Sequence, residues 1–337
     1  MTSASELPRH KPVLLEEVMA ALKPRDGEVY VDGTFGAGGY SRAILEAANC
    51  RVFALDRDPA AVADGKGLEK EFSGRLTIIE GRFSDVEALL ARQGVKQVDG
   101  IALDIGVSSM QLDQAERGFS FQADGPLDMR MSGPASEGES AADVVNSRSE
   151  ADLTRILQRL GEEPRARRIA AAIIKARAEK PIARTGELAQ IVVDAIGYRR
   201  KKGARVIHPA TRTFQALRIY VNDELGELAR GLVAAERTLK PEGRLCVVCF
   251  HSLEDKIVKT FMIERSGNLP GPSRHAPVAA NDSGPGAFAA TFHVDRKRAG
   301  KSSAEEIERN PRARSARLRV AVRNAADAWP AGNGEVS

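Results

Sequence analysis

Cysteine is scarce in this chain: three in 337 residues, at Cys50, Cys246 and Cys249. Three thiols do not make a disulfide framework. Two of them form a CxxC inside "RLCVVCF", but no second pair exists to complete a zinc site. That segment reads as a buried strand, on which residues three apart face opposite sides, so a structural thiol pair is expected and no metal. Also missing is any run of the ~18–20 apolar residues that a membrane span needs. The opening "MTSASELPRHKPVLLEEV" carries charges throughout and no apolar core, so it does not read as a signal peptide. The expectation is a cytoplasmic protein with no membrane partner. Apolar content of 42% and charged content of 28% fit a globular chain, and the length suggests two domains.

The glycine loop "YVDGTFGAGGYSR" (30–42) lacks a Lys-Ser or Lys-Thr after its glycines. It is therefore not the phosphate-binding loop of a Walker-type nucleotidase. Read from Gly36 as a dinucleotide fingerprint, it has Ser41 where the last glycine or alanine belongs, which is a weak match. A better fit starts at Asp32, with glycines four, six and seven positions later. That spacing looks like the D-P-F-x-G-x-G loop of methyltransferases that modify exocyclic amines with S-adenosylmethionine. Glycines allow close backbone approach, and N–H groups at a helix start suit a carboxylate. Asp56, ending the next strand, is placed to accept from ribose hydroxyls, as an acid does in dinucleotide folds.

The first hundred residues alternate strand and helix: "EVYVD", "RVFALD", "RLTIIE" and "VDGIALD" are separated by helical runs. This rhythm predicts a Rossmann-like α/β fold, a parallel sheet with helices on both faces. Strand signal then vanishes until "RLCVVCF" (244–250). The intervening patterns are helical, so an all-helical domain is expected to be inserted after the fourth strand. The resulting boundaries are 10–110 and 215–323 for the sheet domain, 111–214 for the inserted helical domain, and 324–337 for a disordered tail. A long helix over 223–243 should return the chain to the sheet, and 266–286 should be a mobile loop. "ATFHVDRKR" and "ARLRVAVR" should close the sheet as an antiparallel pair.

Net charge is only +4 but is unevenly spread. From Arg148 to Arg205 there are 15 Lys/Arg against 7 Asp/Glu, and from Arg296 to Arg323 there are 10 against 3. Two basic stretches on a nearly neutral chain point to a polyanionic partner. Solvated helix faces are the plainer alternative.

The segments "HKPVLLEEV", "VDGTFGAGGYSR", "ALDRDPAAV", "LDIGVSSMQLDQAERGFSFQADGPLDMRM", "HPATRTFQALRIYVNDEL", "GRLCVVCFHSLEDKIVK" and "NPRARSARLRV" together resemble the MraW/RsmH family. The resemblance runs from residue 10 to about 323. It implies methylation of the N4 amine of a decoding-region cytidine in 16S ribosomal RNA, with S-adenosyl-L-methionine as cofactor. The implied partner is that RNA, within a small-subunit particle; a homodimer is left open. The resemblance places the cofactor against Gly38, Gly39, Tyr40, Asp56, Phe83, Asp104 and Gln111. The family more often has histidine where Tyr40 stands, so the contact carried over there is the backbone one. General amine methyltransferases end strand four in D/N/S-P-P-aromatic; here it reads "DIGVSSMQLD", with only the acid present.

Several residues keep two readings. Asp104 is either the acceptor for the amine or a cofactor ligand alone. Phe83 is an apolar wall for adenine or a staple on the next helix. Phe119 and Phe121 are the nearest aromatics for stacking a splayed cytosine, or they pack the base of the inserted domain. His208 and Arg212 could touch phosphate or simply form a hinge. His251 is a candidate RNA or amine contact beside a helix cap at Ser252, with Asp255 completing it. Two rival functions stand beside the methyltransferase: an NAD-dependent oxidoreductase using the same loop and Asp56, and a non-catalytic RNA-binding module.

Overall fold

In the computed structural model, which describes residues 12–197, 208–267, 288–294 and 299–330, the apolar runs of the first hundred residues become four parallel strands. They are β1 (Val29–Asp32), β2 (Arg51–Asp56), β3 (Leu76–Glu80) and β4 (Val98–Asp104). They are joined by β5 (Leu239–Cys249), β6 (Phe292–His293), β7 (Gly300–Lys301) and β8 (Arg317–Arg323). The sheet order is β3-β2-β1-β4-β5-β8-β6, and β7 also pairs with β8. Strands β1 to β5 are parallel, whereas β8 runs antiparallel to β5 and to β6. This is a Rossmann-like sheet whose order reverses between β1 and β4, and ligands of such sheets bind outside the strand C-termini at that reversal.

Both faces of the sheet are buried, which is why its strands are apolar runs rather than alternating ones. Successive residues serve opposite cores. Val31, Phe53, Leu55, Ile101, Leu103, Leu245 and Val247 face one side. Tyr30, Val52, Ala54, Leu76, Ile78, Ala102 and Val248 face the other. Cys246 and Cys249 fall on opposite sides of β5, both buried as free thiols. Burial pushes the Cys246 thiol up to about 12, so it stays protonated and unreactive at neutral pH.

The chain forms two compact units, Met1–Gly106 with Leu225–Ser337, and Val107–Glu224. Among the described residues the second unit is built of helices, with one isolated bridge between Pro126 and Arg184. Its core gathers Leu153, Leu157, Ile169, Ile173, Leu188, Val192, Phe214 and Leu217. The division lies at 107 and 224, where the sequence suggested 111 and 214. At the second boundary the difference comes from the helix Thr211–Asn222, whose Phe214 and Leu217 belong to this core.

Three other expectations need correction. The long helix over 223–243 stops at Thr238, and β5 begins at Leu239. Pro241 and Gly243 therefore lie inside the strand, at a register irregularity opposite Val98–Gly100; such a bulge is where a sheet tolerates proline. The segment 324–330 is not a disordered tail. Trp329 is buried, its indole N–H donates to the Ala289 carbonyl at 2.9 Å, and the Arg265 guanidinium lies 3.8 Å above its ring. Of the strand expected in 290–298, only Phe292–His293 is a strand, while 295–298 lie outside the described residues. Most of the loop expected at 266–286 also lies outside them.

Candidate active site

The polar residues that end the parallel strands line up along one edge of the sheet, because parallel strands share a carboxyl end. Asp32 ends β1, Asp56 ends β2, Asp104 ends β4, and His251 follows β5. The glycine loop sits at the β1 position of this edge. Asp32 is fully buried, and its carboxylate accepts from the Ser41 N–H at 3.1 Å, the Ser41 hydroxyl at 2.7 Å and the Thr34 N–H at 3.3 Å. It thus ties the far end of the loop to the strand that launches it. Burial dominates those bonds and holds the Asp32 carboxyl up at about 6.

Gly38 stands just before the helix Gly39–Ala47 with φ +76°, a left-handed conformation that disfavours any residue with a Cβ. No acceptor among the described residues takes the N–H of Gly39 or Tyr40, the first two of that nine-residue helix. A helix start with open donors attracts a carboxylate. The Tyr40 side chain points elsewhere: it is buried in the core and its hydroxyl donates to the Val13 carbonyl. Asp56 accepts from the Gly36 N–H at 2.8 Å and the Asp58 N–H at 2.9 Å. It therefore braces the loop, and each oxygen keeps a second lone pair for a ribose hydroxyl. Burial raises its pKa, with the two N–H bonds opposing.

Asp104 is different. Its backbone N–H donates to the Thr34 hydroxyl at 2.7 Å, which joins the β4 tip to the glycine loop. Its carboxyl Oδ1 is buried and has no hydrogen-bond partner. Burial first, then the negative Asp32 and Glu254, push its pKa well above the usual carboxylate range. An unsatisfied buried polar atom costs ~1–3 kcal/mol, more if charged. His251 Nε2, just past the end of β5, is a second buried polar atom without a hydrogen-bond partner, and groups of this kind call for a specific explanation.

Phe83 opens a short 3₁₀ turn and is partly buried. Its ring lies so near Gly231 that a Cβ there would come within 2.3 Å. One face is thus committed to the core. His251 is itself the cap of the helix Ser252–Arg265, a correction to the expected cap at Ser252. The reason is Glu254: its carboxylate accepts from the Phe250 N–H at 2.7 Å and the His251 N–H at 3.2 Å, while His251 Nδ1 accepts from the Glu254 N–H at 3.4 Å. The box closes one residue earlier than Ser252 and Asp255 would close it. His251 Nε2 lies 2.9 Å from Glu254 Oε1. Asp255 instead pairs with Arg317 and Arg319, each at 2.7 Å.

The other predicted residues lie in the second unit. Gln111 is buried and forms a capping box with Ser108, its side chain accepting from the Ser108 N–H at 3.1 Å. Phe119 is buried in that unit's core. Phe121 packs on Phe214 with ring centroids 4.8 Å apart, and on exposed His208 at 4.5 Å. Arg212 is exposed and donates to the Glu162 carbonyl at 3.2 Å. Sequence reasoning missed Thr34 and Glu254. Glu254 was legible as the third residue after His251, but Ser outranks His as a cap and drew the assignment.

The model of the MraW methylase family matches residues 8–324. A protein named ribosomal RNA small subunit methyltransferase H from Paramagnetospirillum magneticum is 60% identical over 320 residues, covering 95% of this chain and 97% of that one. Proteins of the same name from Parvibaculum lavamentivorans and Rhodospirillum rubrum are 59% and 54% identical, each covering 95% of this chain and 91% and 96% of their own length.

Proposed function

The chain belongs to the MraW methylase family, and from that premise we propose that it methylates small-subunit ribosomal RNA, using S-adenosylmethionine, at the N4 amine of a decoding-region cytidine. The name shared by its relatives supports the RNA substrate. The observation that carries the amine chemistry is Asp104 Oδ1, a buried acceptor without a partner at the strand edge. The open N–H groups of Gly39 and Tyr40 suit the methionine carboxylate of the cofactor, and Asp56 suits its ribose. When bound, the cofactor supplies an electrophilic methyl group on a sulfonium.

The residues of the chain then have a limited task. The N4 amine of cytosine is a weak nucleophile because its lone pair is delocalised into the ring. Accepting a hydrogen bond from that amine raises electron density on nitrogen as the new bond forms. Burial and two neighbouring acids raise the Asp104 pKa, so the carboxylate form, when ionised, is a more basic acceptor for the amine proton. Thr34 fixes the β4 tip through the Asp104 N–H, and positioning is the larger part of such catalysis.

Asp104→Asn tests this directly. The shape is nearly unchanged, so S-adenosylhomocysteine should still bind by calorimetry. Single-turnover methylation at saturating cofactor should fall by ~10²–10³, the usual loss for one positioned electrostatic group. A near-normal single-turnover rate would reduce Asp104 to a cofactor ligand.

A further inference from the structure

Among the described residues of the second unit, three arginines surround a groove of about 430 Å³ on the helix Glu150–Gly161. It is lined by Arg148, by exposed Arg155 and Arg159, by Tyr220, by buried Ile156 and half-buried Leu160, and by Asp152. Tyr220 comes from the helix Thr211–Asn222, so two helices build the feature. The Arg148 guanidinium lies over the Tyr220 ring, 5.8 Å from its centroid. The same guanidinium also pairs with Glu139. Asp152 is the acid in the lining; it pairs with Arg155 at 2.8 Å. Arg159 is exposed and makes no ion pair among the described residues.

We propose that this groove is a binding subsite for single-stranded RNA, with one base stacked on Tyr220 and the flanking phosphates held by Arg155 and Arg159. Four observations converge on that ligand class. The lining is net positive, with three guanidinium groups against one carboxylate. Its three arginines lie in the stretch from Arg148 to Arg205 that holds 15 Lys/Arg against 7 Asp/Glu. It joins a cationic rim to an aromatic wall, the pairing by which proteins hold single strands without reading sequence. And its lining includes the aliphatic Ile156 and Leu160, which suits a base rather than a bare phosphate ion. Arg recognises phosphate with a planar fork, and Asp152 orients the Arg155 fork. Arg148 acts on Tyr220 rather than on the ligand, so its part is positioning. The subsite rests on the reading of the chain as an RNA methyltransferase and adds to it a further contact: none of its residues belongs to the strand-edge site.

The test uses the full chain and a fluorescent single-stranded oligoribonucleotide of roughly a dozen nucleotides, a length within the span of single-strand sites. Binding is titrated across salt for the wild type, for R155Q with R159Q, and for Tyr220→Leu. The double variant should lose about tenfold or more in affinity, and its slope of log affinity against log salt should become shallower by about 0.7 per lost phosphate contact. Tyr220→Leu should lose roughly five- to a hundredfold, the value of one stacked base, with the salt slope unchanged. Calorimetry with S-adenosylhomocysteine should match wild type throughout, showing that the variants fold. If Tyr220→Leu perturbs the fold, Tyr220→Phe keeps the stack and should bind RNA as wild type does. Wild-type affinities and slopes in both the double variant and Tyr220→Leu would overturn the subsite and leave the methyltransferase reading intact. A wild-type protein that binds this RNA through the groove but transfers no methyl to small-subunit RNA would overturn that reading and leave the subsite standing.

Discussion

At Asp32 the carboxyl group accepts three hydrogen bonds and still titrates near pH 6, because burial outweighs them. The sign of its effect on stability follows. The folded carboxyl has the higher pKa, so between about pH 4 and 6 the native state holds more protons than the unfolded chain. Stability from this group is therefore fully present below the unfolded value and is lost as pH rises through 6. Two pKa units correspond to on the order of 2–3 kcal/mol. Urea unfolding of wild type and Asp32→Asn at pH 4.5 and 7.0 reads it. The variant should lack a fall of that order, and parallel pH profiles would remove Asp32 as its source. Asp56 and Asp104 were legible in the sequence as acids ending apolar runs, since a strand end on a parallel sheet is where a ligand-facing acid belongs. The role of Thr34 was not. A threonine beside a glycine loop carries no signal until β4 is known to lie next to β1.

The glycine loop shows how one element serves both fold and site. Gly38 holds φ +76°, and a Cβ there would stand 2.6 Å from Leu68 Cδ2 and 2.8 Å from the Phe35 ring. Gly38→Ala should therefore destabilise the protein by about 1–3 kcal/mol through backbone strain and overpacking. Its urea midpoint should fall and its affinity for S-adenosylhomocysteine should weaken, because the open N–H groups of Gly39 and Tyr40 would shift. An unchanged midpoint would show that the loop does not need the left-handed turn. Elements were readable where period and punctuation agreed, as for β1 to β4 and their helices. They were misread where local signals favoured a different boundary. Pro241 and Gly243 look like the end of a helix but lie inside β5, because the pairing of Leu239 and of Arg244–Cys249 on either side of them outweighs local propensity. Trp329 sits in a polar, alanine-rich tail that gives no period. It is ordered by Arg265, Ala289 and Phe288, all distant in sequence.

For the molecule as a whole, the sheet unit carries the loop, the strand-edge acids and the unpartnered carboxyl oxygen of Asp104. The helical unit carries a basic stretch and an aromatic-walled groove. No helix among the described residues is long and apolar enough to cross a membrane. An oxidoreductase could share the loop and Asp56, but it gives no use to the basic stretch. A non-catalytic RNA binder gives no use to an orphaned carboxylate at a strand edge. The measurement that separates these readings most directly is mass mapping of small-subunit ribosomal RNA from a strain lacking this protein, followed by treatment of that RNA or its subunit with purified protein and S-adenosylmethionine. The expected result is one decoding-region cytidine without its N4 methyl group, about 14 Da lighter for one methyl in place of hydrogen, with the methyl restored by wild type and not by Asp104→Asn. A fully methylated RNA in the deletion strain, or a missing methyl at any base other than a cytidine, would contradict it.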